Sequence, residues 1–326
     1  LARRLLPQYH FFVTLEAMMK APLKRLPLPE WFKIRPPSTT HFAEIKSQLR
    51  TQNLKTVCEE AHCPNLTECW SGGTATIMLL GDTCTRGCRF CAVNTGNPHG
   101  ELDQFEPWVL AQTVKRMSKD SHLDYIVLTM VARDDLPDGG AGHIAKCIRA
   151  IHQIAPEILV EILVSDLRGS TSALETILES GVVVLAHNIE TIERLTKFVR
   201  DGRARYRQSL EVFKNAKKIA SQKRSLYTKS SIMLGLGETE EEVIAVMLDL
   251  RDAGVDMLTL GQYLQPSSQH IPVKEYIHPS QFAHLETLAL DLGFLAVSAG
   301  PLVRSSYKAG ELFIKAQLRP RGQPWQ

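Results

Sequence analysis

The sequence predicts an α/β protein: a partial or full, TIM-like (β/α) barrel of six units, flanked by an N-terminal and a C-terminal extension. Three observations carry this prediction. Six apolar runs alternate with helical patterns about 20–50 residues apart, the mark of repeated βαβ units and a parallel sheet. The runs are continuously apolar instead of alternating, as strands covered on both faces are. Each run ends in polar or Gly-rich sequence, and in such a barrel the C-terminal strand ends build the active site. Six units of this kind favour a barrel over a doubly wound sheet.

In chain order, residues 1–20 contain Arg3 and Arg4 and a single acid, Glu16. They read as the remnant of an organelle transit peptide, or as an upstream extension with Met18 or Met19 as the start. Gln8, His10 and Glu16 interrupt any secretory core. Residues 1–26 are therefore set apart from the fold, and 27–73 are assigned to an arm and a cysteine-bearing segment. Pro27, Pro29, Pro36 and Pro37 exclude a helix interior from this arm. Trp31 and Phe32 are placed to anchor it to the body. "HFAEIKSQLRTQNL" (41–54) reads as a short amphipathic helix. The barrel is assigned to 74–300, with strands in 74–81, 124–131, 158–164, 182–188, 229–237 and 256–262. Helical patterns between them include "GHIAKCIRAIHQI", "TSALETILES" and "RYRQSLEVFKNAKKIAS". The helix in "ETEEEVIAVMLDLRDAG" should open at Thr239, ahead of three Glu, and close at Gly254. Residues 301–326 form the C-terminal extension.

Six of the seven cysteines lie between residues 58 and 91. An odd count in a long chain argues against a disulfide scaffold and for metal or redox chemistry. Cys84, Cys88 and Cys91 form a C-x3-C-x2-C loop at the end of the first strand. Zinc sites usually pair C-x2-C units to reach four ligands. A four-iron cluster can instead be held by three thiolates, one iron staying open for a substrate or cofactor. A zinc or buried-thiol loop is the competing reading. Cys147, inside "IAKCIRAI", reads as core.

With Phe90 before its last cysteine, the C-x3-C-x-aromatic-C loop resembles the radical S-adenosylmethionine enzymes, whose fold is a partial (β/α) barrel. The upstream C-x4-C-x5-C triplet, Cys58, Cys63 and Cys69, resembles the lipoyl synthase family in particular. So do "RDDLPDGGAGHI", "AHNIET", "SIMLGLGE", "LTLGQYLQP" and "GPLVRSSYKAG", over roughly residues 27–316. The resemblance implies two 4Fe–4S clusters and S-adenosylmethionine as cofactors. Cys84, Cys88 and Cys91 would hold the cluster that starts radicals. Cys58, Cys63, Cys69 and a serine of the "RSSY" block would hold an auxiliary cluster that donates sulfur. That serine is taken as Ser306, with Ser305 as the alternative. The implied reaction inserts two sulfurs, at C6 and C8 of an octanoyl chain carried on a lysine. Phe90, Asp138, Gly139, Gly140, His187, Asn188 and Gly235 are the expected cofactor contacts. Gly237, Gln262 and Tyr263 also fall at strand ends. Met130, Ala132 and Ser165 stand where the family pattern has Ser, Asp and Pro. Another sulfur-inserting radical enzyme, related to biotin synthase or the methylthiotransferases, would leave the upstream triplet unexplained. A non-catalytic cluster sensor would need no barrel converging on an open iron.

A composition of 44% hydrophobic and 22% charged residues is that of an ordinary globular protein. A net charge of +3 makes no case for nucleic acid but would suit an acidic protein partner. No apolar run approaches the roughly 20 residues of a membrane span. The resemblance implies octanoylated carrier domains as partners (glycine cleavage H protein or 2-oxoacid dehydrogenase E2), and an electron donor such as ferredoxin or flavodoxin. Lys308, Lys315, Arg319 and Arg321, against Glu311, could steer an acidic carrier or could simply be a solvated tail. A monomer is expected, in the bacterial cytoplasm, or in the mitochondrial matrix or plastid if residues 1–20 are a transit peptide.

Overall fold

The computed structural model describes residues 26–32, 47, 54–60, 63, 65, 66, 69, 76–121, 124–221, 226–308, 313 and 317. The leader, most of the helix expected over 41–54, and the tail cations Lys315, Arg319 and Arg321 lie outside the described residues. In chain order the elements begin with β1 (Lys55–Thr56), α1 (Val57–Glu60), β2 (Thr76–Leu79), β3 (Thr83–Cys84) and β4 (Asn94–Thr95). There follow α2 (Glu106–Ser121), β5 (Tyr125–Met130), α3 (Ala141–Ile154), β6 (Leu159–Leu163), α4 (Thr171–Leu178) and β7 (Val184–Ala186). The rest are α5 (Glu193–Val199), α6 (Tyr206–Ala220), β8 (Tyr227–Leu234), α7 (Glu240–Asp252), β9 (Met257–Gln262), α8 (Pro279–Asp291) and β10 (Ala296–Gly300).

Eight strands form one sheet in the order β1-β2-β5-β6-β7-β8-β9-β10. All its pairings are parallel except β1 on β2. Each of the six expected strands is present. β10 is a seventh parallel strand; its sequence, "AVSAG", is too small-residued to announce itself. β1 and β10 remain the sheet's two edges, so the barrel is partial. Helices α2, α3, α5 and α8 fill connections between strands as βαβ units require.

Local signals explain the helix ends. Thr239 and Glu242 form a reciprocal capping box on α7, and Gly254, at φ +86°, ends it in the left-handed region. Ser170 caps α4 by accepting from the Ala173 N–H.

Two cores lie between sheet and helices. One joins β2, β5, β6 and β7 to α2, α3, α4 and α6; the other joins β8, β9 and β10 to α7 and α8. Cys147 is fully buried in the first, as its sequence context implied. Inside the sheet's curve, Phe313 of the C-terminal extension packs between Tyr125 and Tyr227, with ring centroids 5.5 and 5.3 Å away. These are the first residues of β5 and β8, so Phe313 plugs the N-terminal end of the barrel. Beside it, Tyr125 donates to Glu161 at 2.6 Å, and Glu161 pairs with the buried Lys229 of β8. The N-terminal arm docks as expected. Trp31 meets His278 at 5.1 Å, and Phe32 meets Tyr276 at 5.4 Å. Among the described residues no helix is long and apolar enough to cross a membrane.

Candidate active site

A cavity of about 890 Å³ opens at the C-terminal ends of the strands. Cys58 and Cys63, all of Cys84, Cys88 and Cys91, and Ser305 and Ser306 line it together. Cys69 is half-buried and packs against the first core.

The loop from Cys84 to Cys91 is fixed at both ends. β3 pairs with β4, Gly96 N–H donates to the Cys84 carbonyl at 2.9 Å, and Thr85 N–H donates to the Ala132 carbonyl at 2.9 Å. Within it the Arg86 N–H points at Cys84 Sγ (3.4 Å), and the Asp201 N–H points at Cys88 Sγ (3.3 Å). Arg86 turns away from the thiols and forks onto Asp134 (2.9 Å) and the buried Asp166 (2.8 Å), tying the loop to the ends of β5 and β6. Burial pushes the Cys91 thiol up to about 12 and raises Cys88 as well. The protein alone therefore holds these sulfurs protonated. A metal centre held by Cys84, Cys88 and Cys91 would supply the positive charge that makes them thiolates, and the two N–H···S contacts are of the kind that would tune it.

The upstream triplet is folded by its own backbone. Cys63 N–H donates to the Cys58 carbonyl (3.0 Å) and Cys69 N–H to Asn65 (2.9 Å). The Asn65 side-chain amide donates to the Leu302 carbonyl, stapling this loop to the C-terminal segment that carries Ser305 and Ser306. Between them sits Arg304, whose guanidinium reaches only the carbonyls of Val303 (2.7 Å) and Pro301 (3.4 Å), with no carboxylate partner among the described residues. Burial raises Cys63, while the backbone N–H groups of Asn65 and Leu66 and the Arg304 charge oppose that rise. A half-buried cation with no acid beside it suits an anionic thiolate-bound group. Both donor sets thus fit iron–sulfur clusters.

The expected cofactor contacts divide. Phe90, His187 and Asn188 line the cavity. Both nitrogens of His187 are already used: Nδ1 lies 2.9 Å from the Val164 carbonyl and Nε2 2.9 Å from Ser209 Oγ. A carbonyl only accepts, so Nδ1 carries the proton and Nε2 accepts from Ser209. Burial, with Arg200 nearby, brings this imidazole down to about 4. Its work is to brace the strand ends. Asp138, Gly139 and Gly140 lie off the cavity wall. Asp138 instead accepts from Gly140 (2.9 Å) and Gly142 (2.7 Å) at the start of α3. A Cβ on Gly140 would stand 2.5 Å from Leu80, so this glycine serves helix–strand packing. Gly235 also lies outside the wall. A Cβ there would strike the Gln262 amide at 2.0 Å and the Glu275 carbonyl at 2.4 Å. Gln262 and Tyr263 do line the cavity, as do all three departures from the family pattern, Met130, Ala132 and Ser165.

Glu190 escaped the sequence reading. It lines the cavity, accepts from Asn188 Nδ2 at 3.1 Å, and holds φ +68°, a strained value for a residue with a side chain. Burial raises its carboxyl. Its position two residues past Asn188 in "HNIET" was the available signal. One cluster outside the cavity, Glu106, His143 and Cys147, brings ligand atoms within 4.8 Å of each other. Its His143–Glu106 contact is 2.7 Å, whereas two ligands about 2.0–2.1 Å from one tetrahedral zinc stand roughly 3.3 Å apart. This is a direct His–Glu hydrogen bond.

A parallel partial barrel with a three-thiol loop after its first strand defines a class, and the comparisons bear it out: the radical SAM superfamily model matches residues 78–250, more than half of the chain. The FeFe-hydrogenase maturase HydG from Carboxydothermus hydrogenoformans shares the fold at a TM-score of 0.53 and 12% identity, over 86% of this chain and 69% of that one. Within the class the relatives are specific. The model for the N-terminal domain of lipoyl synthase matches residues 14–63. The chain is 55% identical to the mitochondrial lipoyl synthase of Aedes aegypti, over 92% of this chain and 76% of that protein. It is 53% identical to the chloroplastic lipoyl synthase of Ricinus communis, over 90% and 80%. The chain belongs to the lipoyl synthase family. It is a sulfur-inserting enzyme of the radical SAM type, which works with iron–sulfur clusters and S-adenosylmethionine on a lipoyl-carrier protein. The bacterial cytoplasm expected from the sequence is corrected: these relatives are mitochondrial and chloroplastic proteins of insects and plants, which points to an organelle.

Proposed function

We propose that the chain carries two 4Fe–4S clusters, one on Cys84, Cys88 and Cys91 and one on Cys58, Cys63, Cys69 and Ser306. The octanoyl chain would lie between them and receive sulfur at C6 and C8. The observation that carries this reading is the single cavity lined by cysteines of both triplets and by Ser306. Bound, the first cluster with S-adenosylmethionine supplies the one-electron chemistry that takes hydrogen from an unactivated carbon.

The chain's own residues do the positioning. Met130, Val131 and Ala132 give the wall at the end of β5 an apolar stretch suited to a hydrocarbon chain. Asn188 and Glu190 offer a donor and an acceptor for the polar part of S-adenosylmethionine, and Phe90 a face for its adenosyl part. Arg304 balances the charge of the auxiliary site. The substrate would be an octanoylated H protein or E2 domain, the donor a ferredoxin or flavodoxin, and the enzyme a monomer.

Mass spectrometry of an octanoylated carrier peptide after anaerobic turnover tests the whole reading, with reconstituted iron expected at about eight atoms per chain. Cys63→Ala should still release 5′-deoxyadenosine yet make no dithiolane. Dithiolane from that variant would overturn the sulfur source.

A further inference from the structure

We infer that the face formed by Arg89 and residues 197–207 is the docking site of an acidic one-electron carrier protein, and that electrons enter the cluster loop there through the Asp201–Cys88 contact. This rests on the proposed role of Cys84, Cys88 and Cys91.

Segment 198–203 is hydrogen-bonded directly onto the loop. Arg89 N–H donates to the Val199 carbonyl (2.9 Å), Gly87 N–H to Asp201 Oδ2 (2.9 Å), and Arg203 to the Thr85 carbonyl (2.6 Å). The Asp201 N–H then reaches Cys88 Sγ itself at 3.3 Å. One peptide group thus separates a ligand sulfur from the molecular surface.

That surface is basic with an apolar centre. Phe198 is 51% exposed, and Lys197 lies over its ring at 4.8 Å. Arg89 donates to the Phe198 carbonyl at 3.3 Å, and Arg89, Lys197, Arg203, Arg205 and Arg207 are all exposed. Arg203 and Arg207 are answered by Asp201 and Glu193. Arg89, Lys197 and Arg205 have no carboxylate partner among the described residues. Segment 197–207 and the adjoining cysteine loop thus carry three exposed cations without an acid beside them. A cationic rim around an exposed aromatic complements an acidic partner and steers it during encounter. The transfer moves one electron: the donor's iron–sulfur or flavin centre is oxidised by one, and the enzyme's cluster is reduced by one. No bond forms or breaks.

The test is stopped-flow reduction of the reconstituted holoenzyme by a reduced acidic ferredoxin, alongside calorimetric binding of the same ferredoxin. Lys197→Glu with Arg205→Glu should slow reduction at least tenfold and weaken binding at low salt. The gap should narrow as salt rises. Reduction by dithionite should be unchanged, which separates lost docking from a damaged cluster. Arg116→Glu with Lys119→Glu, the same charge change on exposed positions of α2, should leave the ferredoxin rate near that of the parent. Equal slowing by both double variants would overturn the assignment. So would an unchanged ferredoxin rate in the first, including the case where it loses only an acidic octanoylated carrier domain. If the parent itself takes up no reducible cluster on Cys84, Cys88 and Cys91, the underlying functional reading fails instead.

Discussion

Gly261 gives the sharpest test of how the proposed auxiliary site is assembled. It lies on β9, and a Cβ built there would stand 2.1 Å from the Val303 carbonyl oxygen. Its φ is not in the left-handed region, so Gly261→Ala meets no backbone penalty and only this contact matters. An ordinary carbon–oxygen approach exceeds 3 Å, so Val303 must retreat by about 1 Å. Ser306 follows three residues later, in the next turn, which Tyr307 N–H closes on the Arg304 carbonyl. Metal–ligand distances tolerate only about 0.2 Å, so a retreat of that size takes the serine out of reach. The overpacking itself costs about 1–3 kcal/mol, and each 1.4 kcal/mol set against capping is a tenfold loss in occupancy. The assay is paired: 5′-deoxyadenosine released and dithiolane formed by the same reconstituted enzyme. The variant should release 5′-deoxyadenosine within about twofold of the parent and lose dithiolane tenfold or more. Parent-level dithiolane at an unchanged melting temperature would refute the idea that packing against β9 positions Ser306.

Other expectations concern stability and pH. Gln262 donates to the carbonyls of Leu234, Tyr263 and Glu275, at 3.0, 3.1 and 2.9 Å, and accepts from Ile277 N–H at 2.8 Å. Gln262→Leu takes this donor from the Glu275 carbonyl and this acceptor from the Ile277 N–H, and should cost about 2–4 kcal/mol in urea unfolding; a loss under 1 kcal/mol would contradict that role. Phe313→Ala should cost about 3–5 kcal/mol by the same measurement, and a silent variant would mean the plug contributes little. His187 is neutral in the fold down to about 4, whereas the unfolded chain takes up this proton below 6.5. Its contribution is therefore complete above pH 6.5 and is lost as pH falls towards 4, by at most about 1.4 kcal/mol per unit. The stability difference between the parent and His187→Gln should shrink across that interval; a constant difference would show that His187 does not titrate as its burial requires.

The cysteine spacings, the six expected strands and the α7 caps were legible in the sequence because each is local. Spacing sets which thiols share a loop, and periodicity sets which segments are strands. β10 was not, because its five small residues make a strand only when laid beside β9. The glycines at 139, 140 and 235 were not legible either. A glycine after a strand looks the same whether a ligand or a neighbouring side chain occupies the space a Cβ would fill; Leu80 occupies it at Gly140 and Gln262 at Gly235. Glu190 had only its place beside Asn188 in "HNIET" to mark it, and nothing adjacent in sequence marks the Arg304 guanidinium as lacking an acid.

What this sequence determined by itself was the chemistry on offer: two sets of three thiols, a serine near the C-terminus, and a barrel to present them. What only the tertiary structure decided was their meeting. The Asn65–Leu302 bond and the Gly261–Val303 approach bring residues far apart in the chain to one cavity. The Arg86–Asp134–Asp166 fork sets the cluster loop against two strands. Such contacts depend on the path of the whole chain, and no local pattern encodes them.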